Sequence, residues 1–225
     1  MILAAILTYR PAATHRLAML LETYRTLSAE ADAVWVVDNG SGPDEVTAIT
    51  NTLGVPPWTH DHRLHTCGHG TNLQARILAG AAKPGDICVL SDDDMAWRDG
   101  WAQRLANWWA IAPSDVILTG CHIEPEYGWN AISGRHPFPA LFRASTGAAS
   151  WTYRAESHEV IFPIPERHQG TGDVPACQRI SQIGRIAQLD LADHLGVEST
   201  WGNKTAAMFG TDATSARAKL AGVTE

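Results

Sequence analysis

The sequence predicts an α/β fold, a single domain built on a mainly parallel sheet flanked by helices. Three observations carry this. Short apolar runs, Ile2 to Leu7, Ala33 to Val37 and Ile87 to Leu90, each stop abruptly at polar or acidic residues, as buried strands do. Segments with apolar residues at helical spacing lie between them, and strand–helix alternation of this kind is the signature of a parallel sheet. No internal repeat, low-complexity tract or long linker divides the chain.

The first strand, Ile2 to Leu7, runs into Thr8-Tyr9-Arg10-Pro11. Pro11 disfavours helix at Arg10 and marks the turn. Thr14 is placed to cap the next helix, whose core face is Leu17, Leu20, Leu21 and Tyr24, spaced as one apolar stripe. The second strand, Ala33 to Val37, ends in Asp38-Asn39-Gly40-Ser41-Gly42, and Pro43 to Leu53 forms the second helix. Asp38 sits where a nucleoside hydroxyl or base is held in such folds, and equally where a helix-capping turn is built. Trp58 to His60 reads as a short strand, and Leu64 to Asn72 as a loop leading into a helix over Leu73 to Ala82. The glycines of that loop permit close backbone approach to a ligand. Its histidines, with His60 and His62 before it, fit no standard metal-ligand pair and are read as loop residues.

After Lys83-Pro84-Gly85-Asp86, the strand Ile87 to Leu90 leads through Ser91 to Asp92-Asp93-Asp94. Strand ends at the carboxyl edge of an open α/β sheet are where ligands bind. Three adjacent carboxylates repel one another, so they are either a solvated acidic turn or a site for a hard divalent cation such as Mg²⁺ or Mn²⁺. On an extended segment Asp92 and Asp94 point one way and Asp93 the other. Gly100 to Ile111 is a helix with Trp101, Leu105, Trp108 and Trp109 buried, and Val116 to Cys121 is a strand. From Glu124 the pattern breaks into short β pieces, Ala140 to Arg143 and Ala149 to Arg154 among them. These are expected to add mixed strands to the same sheet and to line a pocket. Gly170-Thr171-Gly172-Asp173 opens a helix through Ile183, and Asp173 lies in its first turn, where the helix dipole favours a carboxylate. Ile186 to Leu191 is the last strand, before Asp193-His194-Leu195-Gly196, a polar loop over Val197 to Lys204 and a peripheral helix over Thr211 to Leu220.

Composition narrows the function classes. Lysine and arginine total 17 against 24 acids, a net charge of −7, which argues against a general polyanion-binding surface. The four cysteines form no Cys-x-x-Cys pair, so reduced thiols in the cytoplasm are expected rather than a zinc knuckle or disulfide framework. The run after Met1 has no basic segment before it and is too short to cross a membrane, so no membrane span is expected.

Taken together, Leu7-Thr8-Tyr9-Arg10-Pro11, Val36-Val37-Asp38-Asn39-Gly40-Ser41, Gly70-Thr71-Asn72, Leu90-Ser91-Asp92-Asp93-Asp94, Gly172-Asp173-Val174 through Cys177-Gln178-Arg179, and His194-Leu195-Gly196 resemble the GT-A glycosyltransferases, most closely the family 2 type. They occur in family order over about residues 2 to 205. The resemblance implies a Rossmann-like GT-A domain over 1–205, with a nucleotide-sugar half over 1–122, an acceptor and catalytic half over 123–205, and a tail over 206–225. It implies transfer of a sugar from a nucleotide-diphosphate donor to an acceptor hydroxyl on a glycan, protein, small molecule or modified nucleic acid. Thr8, Tyr9, Arg10, Asp38 and Asn39 would hold the nucleoside, and Asn72 and Arg76 would face the donor. Asp92 and Asp94 would bracket ribose and metal, Asp93 would touch the sugar, and His194 would supply the remaining protein ligand to Mn²⁺ or Mg²⁺. Asp173 would be the general base of an inverting transfer, and a loop with Ser199, Thr200, Asn203 and Lys204 would close over the diphosphate. Family members commonly carry Glu-Asp where this chain has Gly172-Asp173, so a retaining course stays open. The short chain argues against a processive membrane synthase. The alternatives are a nucleotidyltransferase of similar layout, which usually carries a glycine-rich basic signature not seen over Leu7 to Ala13, and a non-catalytic nucleotide- or sugar-binding module.

Overall fold

The computed structural model describes residues 1–59, 67–122, 131–132, 140–143, 149–166 and 173–195. Its first half is β1 (Ile2–Thr8), α1 (Leu17–Ser28), β2 (Ala33–Asp38), α2 (Pro43–Leu53), β3 (Trp58–Thr59), α3 (Cys67–Ala81), β4 (Ile87–Asp92), β5 (Met95–Trp97), α4 (Trp101–Ile111) and β6 (Val116–Gly120). Then come β7 (Ala131–Ile132), β8 (Leu141–Arg143), β9 (Ser150–Arg154), α5 (His158–Ile161), α6 (Asp173–Ile180), β10 (Arg185–Gln188) and β11 (Ala192–His194).

Nine strands form one sheet in the order β3-β2-β1-β4-β9-β6-β10-β8-β7, and β11 pairs with β5 apart from it. The pairings leave only β9 and β8 opposed to the direction that the other seven strands share. The sheet is therefore mainly parallel, and the β pieces of the second half do join it. Alternation along β1 divides the core between two faces. Ala4 and Ile6 pack with Leu20, Leu27, Trp101, Leu105 and Trp108 on one side. Leu3 and Ala5 pack with Ala75, Leu78, Trp151, Cys177 and Ile180 on the other. A strand buried on both faces must read as an unbroken apolar run, and β1 does.

Several local expectations shift. Thr14 does not cap α1: its hydroxyl donates to the Arg10 carbonyl at 2.8 Å, inside a tight turn that delays the helix to Leu17. Arg10 and His15 hold positive φ, 48° and 58°, in that turn. Leu21 is exposed, and Thr23 takes the buried position instead. The reason is β5, whose Met95 N–H donates to the Thr23 hydroxyl at 3.0 Å and whose Trp97 N–H donates to Thr26 at 3.1 Å. α3 begins at Cys67, six residues before the expected Leu73, and takes in Gly68, Gly70 and Asn72. A Cβ on Gly68 would meet the Pro165 carbonyl oxygen at 2.5 Å, so close packing accounts for a glycine within this helix. α6 ends at Ile180 rather than Ile183. β10 stops at Gln188, and Ala192–His194, beyond the expected last strand, pairs antiparallel with Met95–Trp97. The tail and the loop over Val197 to Lys204 lie outside the described residues.

Candidate active site

Parallel register brings three strand ends together. Thr8 pairs with Asp38, and Leu7 with Asp92. β1 lies between β2 and β4, so the chain runs outward from β1 on both sides. That is the topological switch point where open α/β sheets bind ligands. At it, the Thr8 hydroxyl donates to Asp93 Oδ2 at 2.6 Å. Arg16 Nη2 donates to Asp93 Oδ1 and lies 2.9 Å from Asp94 Oδ2. A turn at Asp93-Asp94 sets both carboxylates against one guanidinium, so the alternation of an extended segment is not kept.

His194 reaches the cluster through the β5–β11 pairing. Its register partner is Met95, and the Leu195 N–H donates to the Asp94 carbonyl at 2.7 Å. His194 Nε2 then stands 3.3 Å from Asp94 Oδ2. The His122 ring stacks near that of His194, centroids 6.1 Å apart, and His122 Nδ1 is 2.6 Å from the Ser150 hydroxyl.

The electrostatics follow from burial and crowding. Burial, with the charges of Asp94 and Asp93, pushes the Asp92 carboxyl up to about 7. Burial pushes Asp93 up to about 6 against the pull of Arg16. Burial acts the same way on Asp94, but His194 and Arg16 outweigh it and hold that carboxyl below its ordinary range. Asp94 is 2% exposed, and its Oδ1 has no hydrogen-bond partner among the described residues. A bare buried carboxylate oxygen is costly unless a ligand or ion meets it. Among the described residues no three His, Cys, Asp or Glu side chains close round one point. The donors fit a cation that takes one or two protein carboxylates and an imidazole and completes its shell on substrate phosphates.

The remaining expected residues are placed as follows. Asp38 is buried, accepts the Ser41 N–H at 3.0 Å and the Ser41 hydroxyl, and is raised by burial. It closes a turn rather than capping α2, whose N-cap is Gly42. Asn39 is buried beside it, with Oδ1 unpartnered among the described residues. Tyr9 is half-buried and Arg10 exposed. Asn72, expected to face the donor, has its amide engaged by Ile164, whose N–H donates to Oδ1 at 2.8 Å and whose carbonyl accepts from Nδ2 at 2.9 Å. Arg76 is exposed on α3. Asp173 is the first residue of α6. Ser199, Thr200, Asn203 and Lys204 lie outside the described residues.

Sequence reasoning missed Arg16, Glu45 and His122. Glu45 accepts the Ala12 and Ala13 N–H groups at 2.8 and 2.9 Å and so clamps the loop that delivers Arg16. A carboxylate in the first turn of α2 and a lone arginine before α1 carry no motif. Only the fold shows that they serve one site.

The family model of glycosyl transferase family 2 matches residues 11–158. The chain belongs to this family. Solved structures agree on the GT-A fold. The chain is similar to S. aureus TarS 1-349, at 14% identity and TM-score 0.56, over 85% of this chain and 59% of that one. It is similar to the mannosyltransferase PcManGT from Pyrobaculum calidifontis, at 18% identity and TM-score 0.55, over 91% of this chain and 59% of that one. Similarity to GalNAc-T7 is 11% in identity with TM-score 0.59, over 85% of this chain and 43% of that one. The chain thus spans about three fifths of the length of the first two. No curated protein matches it. Among the described residues of this glycosyl transferase family 2 chain, no helix is long and apolar enough to cross a membrane.

Proposed function

We propose that the protein is a metal-dependent, inverting glycosyltransferase that moves a sugar from a nucleotide-diphosphate donor to an acceptor hydroxyl. The observation that carries this is the bare Oδ1 of Asp94, buried beside His194 at the switch point of a family 2 domain. The relatives support the donor class: PcManGT was solved with GDP-Man and Mn²⁺, GalNAc-T7 with UDP, GalNAc and Mn²⁺, and TarS with UDP. Asp94 and His194 would hold the cation with Asp92. When bound, it stabilises the charge that grows on the diphosphate leaving oxygen. Thr8, Tyr9, Arg10, Asp38 and Asn39 would seat the nucleoside, and Asp93 the sugar. Asn72 would act through the segment it brackets, with Arg76 on the outer face of the same helix. Asp173 would take the acceptor proton as the hydroxyl oxygen attacks the anomeric carbon and the bond to the diphosphate breaks. Ser199 and Lys204 would close over the diphosphate. On this reading residues 1–122 are the donor half, 123–205 the acceptor half and 206–225 a tail. A cytoplasmic setting goes with this reading; the buried thiols of Cys88 and Cys121, pushed up to about 11 and 12 by burial, are unreactive.

The test is incubation with Mn²⁺ and a panel of sugar nucleotides. Slow release of nucleoside diphosphate is expected. Pyrophosphate exchange would instead indicate nucleotidyl transfer, and binding without turnover a non-catalytic module. Once an acceptor is in hand, Asp173→Asn should lower transfer by about 10²–10⁴-fold with donor affinity little changed. A rate near wild type, or retention at the anomeric centre, removes Asp173 from the role of base.

A further inference from the structure

We propose that Arg16 is a resident counter-cation that keeps the divalent ion weakly bound until a nucleoside diphosphate arrives, so that metal and donor bind cooperatively. This rests on the cation-site reading above. Arg16 is held in place by its loop. Its own N–H donates to the Pro11 carbonyl at 2.7 Å, Ser41 accepts from the Arg10 N–H at 2.7 Å, and Glu45 clamps Ala12 and Ala13. Its side chain is only 15% exposed and bridges Asp93 Oδ1 and Asp94 Oδ2. A fixed positive charge on the carboxylate that would bind the metal opposes a second cation, and the opposition is strong at short range in a poorly hydrated site.

The cluster does not need Arg16 for its shape. Asp93 keeps the Thr8 hydroxyl, and Asp94 is fixed through its backbone carbonyl by Leu195. Removing the guanidinium therefore takes away charge more than geometry. A diphosphate supplies negative charge that offsets Arg16 and oxygens that complete the metal shell, so each ligand raises the affinity for the other by the same factor.

The experiment is Mn²⁺ titration of the full chain by electron paramagnetic resonance of the free ion, with and without UDP and, separately, GDP. It is run on wild type, Arg16→Gln and Arg16→Lys. In Arg16→Gln, Mn²⁺ should bind the nucleotide-free protein about tenfold tighter or more, and the tightening by nucleotide should shrink. Arg16→Lys keeps the charge and should stay within about threefold of wild type. Unchanged or weaker Mn²⁺ binding in a folded Arg16→Gln, with wild type binding normally, overturns the inference and leaves the cation site standing. Absence of Mn²⁺ binding in every form, with nucleotide present, removes the cation site itself. Should Arg16→Gln fail to fold, Mg²⁺ titration of wild type decides. The Arg16 guanidinium NMR signal, assigned by its loss in Arg16→Lys, must shift as Mg²⁺ binds, and an unmoved signal overturns the inference.

Discussion

Asp38 shows how burial decides a single residue's behaviour. It is 1% exposed and its carboxyl is raised chiefly by desolvation, against the hydrogen bonds from Ser41. A folded pKa above the unfolded value means that ionisation costs more in the folded protein. The stability this group contributes is full below an unfolded pKa of about 3.9 and is lost as pH rises through the folded value. Asp38→Asn removes that loss. Urea unfolding from pH 3.5 upward should show the variant gaining on wild type as pH rises, then a constant difference. A difference that is flat across the range would mean that Asp38 ionises as freely folded as unfolded. The sequence located Asp38 at a strand end but left nucleoside contact and capping turn equal. Its link to Ser41 is local, whereas its burial depends on the packed sheet edge.

At the scale of elements, α3 is the clearest departure from expectation. Glycine and histidine lower helix propensity, so Cys67 to Asn72 reads as loop. The structure makes it helix because Gly68 and Gly70 let α3 lie close to Pro165 and Leu7. Asn72 then joins the helix to Ile164 by hydrogen bonds in both directions. Asn72→Ala should leave two backbone groups of the buried Ile164 unpaired, at about 1–3 kcal/mol each, and lower the melting temperature accordingly. Arg76→Ala, one turn on and exposed, should change stability by less than about 0.5 kcal/mol. Equal melting temperatures for the two variants would show that the bracket contributes nothing. β11 teaches the same lesson. Ala192–His194 has no strand pattern of its own, and only the partner β5 makes it a strand and carries His194 to Asp94.

For the whole molecule, β9, from later in the chain, is inserted between β4 and β6 of the sheet. Trp151 on β9 is fully buried and packs with Leu3, Cys88, Cys177 and Ile180, residues far apart in the chain. Trp151→Ala should cost about 3–5 kcal/mol, seen as a lower urea midpoint, whereas Asp94→Ala should weaken Mn²⁺ binding with the fold retained. A Trp151→Ala midpoint equal to wild type would show that the packing of the inserted strand β9 contributes nothing to the core. The sequence by itself determined the α/β class, the strands β1, β2 and β4 and the acidic strand end. Those features are written in hydrophobic period and in where apolar runs stop, and both are local. Only the tertiary structure decided that Thr8, Arg16, Asp93, Asp94 and His194 meet, that Glu45 clamps the loop, and that Asn72 serves Ile164. Such contacts join residues about thirty to a hundred positions apart. They are fixed by strand register and side-chain burial, which a one-dimensional pattern does not contain.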